Sequence, residues 1–361
     1  MTVAAKGGLR QRNYGLDGMR GVAAIWVVFF HASVLGLPLA PGGYLAVDFF
    51  FILSGFVVQR AYAERLRSTM SLWQFVEVRL VRLYPLFLLG LLIGLGRAAG
   101  AIITQDPRAP DIGEVLTSLV FNLFFLPTPL VLSSIFPMNA PSWSLSLEVM
   151  INLVFAIGLF RAKSRTIVVL CIAGAAGMIF ASVQTGDLDV GVRWETYLGG
   201  VSRVFWGFGI GVLMGRLLSA PPSPRIRPLW LGGALLLLIA AMSAPVSPSL
   251  RPLYDVFAAI FLFPVVLLVG IRCRVEGKLA KALGALGDIS YPLYAVHYPL
   301  ILPLHMLLAK GGLTGPSEAL LISLICVLVA VPLSLIDEAV RRRIEGWLRL
   351  RRSAPLDTLR A

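Results

Sequence analysis

Residues 14–31 read YGLDGMRGVAAIWVVFFH, and this stretch decides the fold class. A short polar segment ends at Arg20, and an apolar run then begins at Gly21 and continues to about residue 37. No convincing small-x-small cleavage site follows, so the run predicts a retained membrane helix rather than a secretory signal peptide. A histidine, His31, lies within the run. An ionisable side chain is costly inside a membrane, and it therefore points to function.

The rest of the chain has the same apolar character. Hydrophobic residues make up 57% and charged residues 14% of the 361 residues, against roughly 45–50% and about 25% in soluble proteins. So little charge cannot cover a water-exposed surface, and the apolar excess must face lipid. The composition predicts an all-α integral membrane protein. Eleven stretches are candidate helices: residues 21–37, 43–58, 83–96, 114–136, 143–160, 166–183, 204–218, 229–244, 253–271, 288–309 and 317–336.

The net charge of +13 predicts an orientation rather than a nucleic-acid partner. Most Lys and Arg residues lie in short clusters between apolar runs, the pattern of cytosolic loops near anionic lipid. The clusters are residues 1–20, 60–82, 161–165, 216–227, 272–281 and 341–360. We therefore expect a multi-pass protein of the cytoplasmic (inner) membrane with both termini cytosolic. The lipid bilayer is a predicted partner and nucleic acid is not, and the sequence carries no signal for an oligomeric state.

Two cytosolic termini require an even number of crossings, so one of the candidates does not cross. The most suspect is 114–136, which contains Asn122, Pro127 and Pro129. Prolines at this density interrupt a helix, which hydrocarbon tolerates only where protein or a wet cavity satisfies the backbone. We predict about ten transmembrane helices and one extra re-entrant or interfacial segment. They form a single domain over 1–361, with a cytosolic basic N-terminus 1–20, a helical core 21–336 and a cytosolic Arg-rich tail 337–361.

Ionisable residues within the predicted spans fall at three depths when each helix rises about 1.5 Å per residue. The arginines Arg20, Arg79 and Arg82 lie at the cytosolic mouth, His31 and His297 lie near the middle, and Asp48 and Glu148 lie toward the outside. Planar guanidinium groups suit phosphate binding, although anchoring by positive charge at the cytosolic side explains the same arginines.

His31 is a candidate general base, because a neutral imidazole can take a proton from an attacking hydroxyl. A helix-packing histidine is the alternative. Asp48 and Glu148 either orient an imidazole and accept hydrogen bonds from a polyhydroxyl substrate, or they are structural carboxylates that hold an arginine or an indole N–H. No metal-ligand spacing, phosphate loop or serine-hydrolase elbow appears, so we predict no metal site.

Five segments resemble, in order, the motifs of the transmembrane acyltransferase 3 family. They are YGLDGMRGVAAIWVVFFH (14–31) with Arg20 and His31, GGYLAVDFFFILSGFVV (43–59) with Asp48 and the FFxxSG element, RLVRLYP (79–85), WSLSLE (143–148) and ISYPLYAVHYPL (289–300). The last segment has Pro292 after Tyr291, a variation that leaves the histidine in place.

The resemblance implies a membrane-bound O-acyltransferase with ten helices. Such enzymes move an acyl group, usually acetyl, from cytosolic acyl-CoA to a hydroxyl of a carbohydrate or glycoconjugate on or near the outer side of the membrane. Acyl-CoA is then a co-substrate, and no permanently bound cofactor is expected. The chain ends soon after its last helix, so it resembles the stand-alone form of the family, without a fused hydrolase-like domain.

The resemblance also implies roles for individual residues. His31 is the expected catalytic residue, and we assign Glu148 and Asp48 to the catalytic site with it. Arg20, Arg79 and Arg82 are expected to bind the donor. Residues expected to contact substrate are Ser54, Trp143, Tyr291, Tyr294 and His297.

A different class of protein, a secondary transporter or exporter with an intramembrane histidine proton relay, accounts for the same polar residues. Many transporters contain internal repeats, and we find none in this sequence. Within the enzyme interpretation, direct transfer and an acyl-enzyme on His31 both remain open. The acceptor is equally open among polysaccharide, lipid-linked sugar, peptidoglycan, and a small glycoside or macrolide.

Overall fold

The structure is a computed structural model that describes residues 12–218 and 227–353. The predicted cytosolic placement of 1–11, 219–226 and 354–361 therefore lies outside the described residues. Within the described ranges the chain is helical and contains no β-strand. The helices are α1 (Tyr14–Ala32), α2 (Ala46–Ser68), α3 (Leu72–Ile103), α4 (Ile112–Leu123), α5 (Ser142–Val154), α6 (Ser164–Thr185), α7 (Tyr197–Leu217), α8 (Pro228–Ser243), α9 (Arg251–Phe257), α10 (Phe263–Arg272), α11 (Gly277–Lys310) and α12 (Pro316–Ser353).

Nine helical segments of the described chain are long and apolar enough to cross a membrane. Two of them contain a π-helical stretch, which extends α5 to Leu159 and joins α9 to α10. The apolar helix α8, with 16 residues, is shorter than these and occupies the position of the remaining predicted span. The prediction of an all-α integral membrane protein is confirmed.

The segment predicted not to cross, 114–136, contains the 12-residue helix α4 followed by irregular chain. At about 1.5 Å per residue, α4 is too short to span a hydrocarbon core of about 30 Å. The irregular chain then runs into the bundle, where the Asn139 side chain donates to the Ala295 carbonyl at 2.8 Å. That carbonyl is free because Pro299, four residues later, has no N–H to donate. Helix α5 therefore begins inside the protein and not at its surface.

Helix α1 begins earlier than the apolar run predicts. Asn13 caps its first turn, because the side-chain oxygen accepts a hydrogen bond from the Leu16 amide at 3.1 Å. The polar segment before Gly21 is therefore helical as well. His31 is the second-to-last residue of α1.

Two close helix pairs position the polar residues. Between α2 and α7, a side chain at Gly55 would collide with the Phe208 carbonyl, and one at Gly211 would collide with the Ile52 carbonyl. Between α1 and α11, a side chain at Gly21 would collide with the Leu286 backbone. Small residues let helix backbones approach closely in a membrane, where lipid supplies no hydrophobic drive for association. The second pair brings α1 and its histidine against α11.

Candidate active site

A narrow cavity of about 120 Å³ contains all three residues predicted to bind the donor. It lies between α1, α2, α3, α5 and α11. Its polar lining comprises Arg20, Ser54, Arg79, Arg82, Ser144, Glu148, Ser290, Tyr291 and Tyr294. The three arginines that the sequence assigns to the donor thus line one cavity, although they come from two separate helices.

Glu148 is held within this arginine cluster. Its Oε1 accepts a hydrogen bond from Arg79 at 2.6 Å and one from Ser54 at 3.1 Å. The predicted separation of Glu148 from the arginines, with the carboxylate toward the outside, is therefore wrong. The reason is that α5 begins inside the bundle, so Glu148, the seventh residue after Pro141, lies deeper than a count from the surface suggests.

The arginines of the narrow cavity retain unused hydrogen-bond donors. Within the described residues, Arg82 forms no hydrogen bond or ion pair, and the buried Nε atoms of Arg20 and Arg79 have no hydrogen-bond partner. Arg20 does use one nitrogen, which donates to the Gly287 carbonyl at 2.7 Å. Three guanidinium groups with one carboxylate in the wall give this cavity an excess of positive charge.

A second, wider cavity of about 560 Å³ contains His31. Aromatic and polar side chains from several helices and loops face it. They include Phe30, Tyr44, Arg97, Trp143, Asp189, Tyr294, Tyr298 and His305. An apolar wall with a few polar groups is typical of a pocket for an organic substrate.

Asp189, in the loop between α6 and α7, is a titratable group of the wide cavity. The side chain is exposed where it faces the cavity, and protein atoms surround its carboxyl group on the other sides. Burial raises the pKa of this carboxyl to about 6, even though the nearby charge of Arg203 lowers it. Asp189 was not a predicted site residue.

His31 contacts His297, which the sequence placed at a similar depth without evidence of proximity. The Nδ1 atom of His31 lies 2.9 Å from the Val27 carbonyl oxygen and 3.1 Å from Nε2 of His297. The Nδ1 atom of His297 lies 3.0 Å from the carbonyl oxygens of both Leu293 and Tyr294. His297 is fully buried and lines neither of the two cavities, so it meets the site through His31.

Asp48 lies away from both cavities, in a buried ion pair with Arg203. The guanidinium donates to both carboxylate oxygens, at 3.0 and 2.8 Å, and neither side chain is exposed. It also donates to the carbonyls of Val190 and Tyr44 and lies over the Trp143 ring. This geometry matches the structural alternative considered for Asp48, and it places the pair behind the wall of the wide cavity.

Sequence reasoning missed several residues of the wide cavity and its support. Arg203 lies just before an apolar run, and an arginine beside a span is a signal that could have identified it. Tyr298 lies within the quoted segment 289–300 and packs edge-on against His31. His305 pairs with the buried Glu318 at 2.7 Å across α11 and α12. Arg97 and Asp189 carried no such signal, since they lie outside every quoted motif.

The described residues contain no candidate metal site. No group of three or more His, Cys, Asp or Glu side chains there is arranged to hold a metal ion.

Three relatives of the chain are named as acyltransferases or transacylases. The acyltransferase MdmB of Streptomyces mycarofaciens is 27% identical over 87% of this chain and 87% of its own length. The putative membrane-bound transacylase BcsY of Komagataeibacter xylinus is 27% identical over 83% of this chain and 75% of its own length. The O-acetyltransferase OatA of Staphylococcus aureus is 23% identical over 91% of this chain and 57% of its own length. No solved structure gives a significant match.

The family comparison covers nearly the whole chain. A family model described as an acyltransferase domain matches residues 13–336, which include all five motif segments and both cavities. This supports an enzyme that transfers acyl groups other than aminoacyl groups, and it favours the enzyme over the transporter alternative. The chain belongs to the acyltransferase 3 family.

Proposed function

We propose that this protein is a membrane O-acyltransferase that moves an acyl group, with acetyl as the expected size, from cytosolic acyl-CoA to a carbohydrate hydroxyl. The observation that best supports this proposal is the pair of adjoining cavities. The narrow one is lined by three arginines, the wide one contains His31, and Val47 and Tyr294 line both. A charged donor and a hydroxyl acceptor need two such different environments that meet near one base.

The arginine cluster supports the donor side of this proposal. The phosphates of acyl-CoA carry negative charge, and guanidinium groups bind phosphate with charge-assisted hydrogen bonds. Arg82 has no hydrogen-bond or ion-pair partner among the described residues, so it binds a phosphate without first breaking a contact. Arg79 is held in place by Glu148, which makes Glu148 a positioning residue in this proposal. The thioester then extends from the narrow cavity toward His31.

Hydrogen bonding around the two histidines supports a specific protonation state. The two carbonyl oxygens at Nδ1 of His297 accept hydrogen bonds, so that nitrogen carries the proton and Nε2 is an acceptor. Nε2 of His297 and the Val27 carbonyl then both accept from Nδ1–H of His31. This leaves the lone pair of His31 on Nε2, the nitrogen needed for catalysis. His297 is thus proposed as a positioning residue.

The reaction follows from this arrangement. His31 Nε2 takes the proton of the acceptor hydroxyl, the oxygen attacks the thioester carbonyl, and the carbon–sulfur bond breaks. The leaving thiolate takes the proton back from His31, so the products are an ester and free CoA. The Val27 carbonyl and His297 stabilise the imidazolium while it carries the proton. The same Nε2 lone pair also serves a route in which His31 carries the acyl group before the acceptor attacks.

The wall of the wide cavity supports a sugar as acceptor. Trp143 and Tyr298 offer aromatic faces, while Arg97 and Asp189 offer a donor and an acceptor for hydroxyl groups. Among the relatives, OatA is named an O-acetyltransferase, and ExoZ of Rhizobium meliloti, 25% identical over 75% of this chain, is named an exopolysaccharide production protein. Under this proposal the narrow cavity faces the cytosol and the wide cavity faces the outer side of the membrane.

The test compares cells with the protein, without it, and with His31→Ala. Envelope glycans are analysed by mass spectrometry, and membranes are assayed for release of free thiol from acetyl-CoA. The expected result is an acylated glycan that is present only in cells with the unaltered protein. The unaltered protein and the His31→Ala variant should be equally abundant in the membrane. Identical glycans in all three strains, with no thiol release from acetyl-CoA, would overturn the proposal.

A further inference from the structure

Tyr294 occupies the boundary between the two cavities. Its side chain lines both of them, and it is only 6% exposed. Val47, the other shared residue, is too small to close a passage of this kind by itself. Arg82 lines the narrow cavity and His31 the wide one, so the boundary that Tyr294 and Val47 share lies between the proposed donor site and the proposed base. Tyr294 is therefore the larger of the two side chains at the boundary between the cavities.

The Tyr294 hydroxyl is tied to one wall residue of each cavity. It donates to the carbonyl of Pro141, which lines the wide cavity, at 3.0 Å. It lies 2.5 Å from the hydroxyl of Ser144, which lines the narrow cavity. Ser144 also donates to the Pro141 carbonyl, at 3.1 Å, so the two hydroxyls share this acceptor and either can be the donor in the contact between them. Both partners belong to the start of α5, so the ring bridges α11 and α5.

The tyrosine ring is also held from its sides. It packs edge-on against Phe50 of α2, with ring centroids 5.8 Å apart, and tilted against His297, at 6.0 Å. His297 follows Tyr294 by three residues and lies on the same side of α11, so one turn carries both the ring and the group that contacts His31. A displacement of this turn moves the ring and the imidazole contact together.

We propose that Tyr294 is a specificity-determining residue that separates the two cavities. It admits short acyl groups to His31, excludes longer ones, and keeps water of the wide cavity from the thioester before the acceptor binds. This inference rests on the proposed function. Without the ring, water replaces the acceptor: His31 takes a proton from water, the hydroxide oxygen attacks the thioester carbonyl, and the carbon–sulfur bond breaks. The products are a free carboxylic acid and CoA thiol.

The experiment uses the purified full chain in detergent, with no acceptor, and measures thiol release from acetyl-CoA and from hexanoyl-CoA. Tyr294→Ala is expected to raise acceptor-independent release from acetyl-CoA at least 5-fold, and to raise the hexanoyl-to-acetyl ratio by a similar factor. Tyr294→Phe keeps the ring but loses both hydroxyl contacts, so its release should lie between those of wild type and Tyr294→Ala. Tyr294→Ala combined with His31→Ala should return to the background.

Tyr254→Ala is the matched control, because Tyr254 also donates to a backbone carbonyl but lines neither cavity. Its release should equal that of wild type. Thermal unfolding of each variant shows whether it is folded, and the Phe variant provides the reading if the Ala variant is not. Suppose that wild type turns over acetyl-CoA and that Tyr294→Ala is folded. If thiol release and the hexanoyl-to-acetyl ratio are then unchanged in Tyr294→Ala, the inference about Tyr294 is overturned and the proposed function is not. If wild type neither binds nor turns over acetyl-CoA, the proposed function fails first.

Discussion

The buried ion pair of Asp48 and Arg203 allows a quantitative test of whether Asp48 supports the fold or takes part in the reaction. Both side chains are fully buried and joined by two hydrogen bonds. Arg203→Met would leave the Asp48 carboxylate without its partner, at a cost of about 3–5 kcal/mol. It would also leave the Val190 carbonyl without a donor, at a cost of roughly 1–3 kcal/mol, whereas the Tyr44 carbonyl keeps the hydrogen bond from the Ala46 amide.

The double variant Asp48→Leu with Arg203→Met separates these contributions. Removing both charges eliminates the unpaired carboxylate, so about 3–5 kcal/mol of the loss should return. The Val190 carbonyl remains without its donor, so stability should stay below that of wild type. The expected order of stability is wild type, then the double variant, then Arg203→Met. The double variant should keep acetyl-CoA turnover within a few-fold of wild type, since neither residue lines a cavity.

The assay is reversible unfolding of the purified proteins, followed by tryptophan fluorescence, together with thiol release from acetyl-CoA. The control is the surface pair of Arg108 and Asp106, 3.9 Å apart, where Arg108→Ala removes the exposed arginine side chain and should cost less than about 1 kcal/mol. A double variant as unstable as Arg203→Met would refute the energetic reasoning. A double variant that is folded but inactive would show that Asp48 takes part in the reaction.

Three further predictions concern the site. Arg82→Gln should raise the KM for acetyl-CoA roughly 10-fold or more, because one charge-assisted hydrogen bond to the donor is lost, and the unfolding temperature should not change. An equal rise in KM for Arg108→Gln, a substitution at an exposed arginine, would contradict this prediction. His297→Leu should lower kcat about 100-fold with little change in KM. His297→Gln offers an acceptor to Nδ1–H of His31, so it should recover part of this loss. Equal kcat values for the two variants would argue against a positioning role of His297. Asp189 has a raised pKa of about 6, so its charged form costs stability; Asp189→Asn should unfold at a higher temperature than wild type above about pH 6, and the difference should shrink as the pH falls toward about 4. A difference independent of pH would show that burial of this carboxyl is not the cause.

The fold class and the grouping of the arginines followed from sequence, because both depend on quantities that a linear chain carries. Apolar runs long enough to cross hydrocarbon, with charge confined to the segments between them, allow few structures other than a helical bundle. Arg79 and Arg82 are one turn apart on α3, so they share a face wherever that helix lies. For His31 and His297 the sequence predicted a similar depth in the membrane, but not that the two side chains are in contact.

The depth of Glu148 and the role of Asp48 could not be read from the chain. Glu148 reaches Arg79 because the irregular segment before α5 enters the bundle, where Asn139 meets a carbonyl that Pro299 leaves free. A count of residues from an assumed surface cannot detect such an entry. Asp48 finds its partner 155 positions away, on a helix that small residues allow to approach α2.

Sequence by itself determined that this protein is a helical membrane protein and which side chains are costly enough in lipid to need a reason for being there. Tertiary structure alone decided how those side chains are used. It paired Asp48 with Arg203, joined His31 to His297, and placed Tyr294 between two cavities. The physical reason is that hydropathy and helical period act along one helix, whereas hydrogen bonds and cavities form between helices whose packing the whole chain decides.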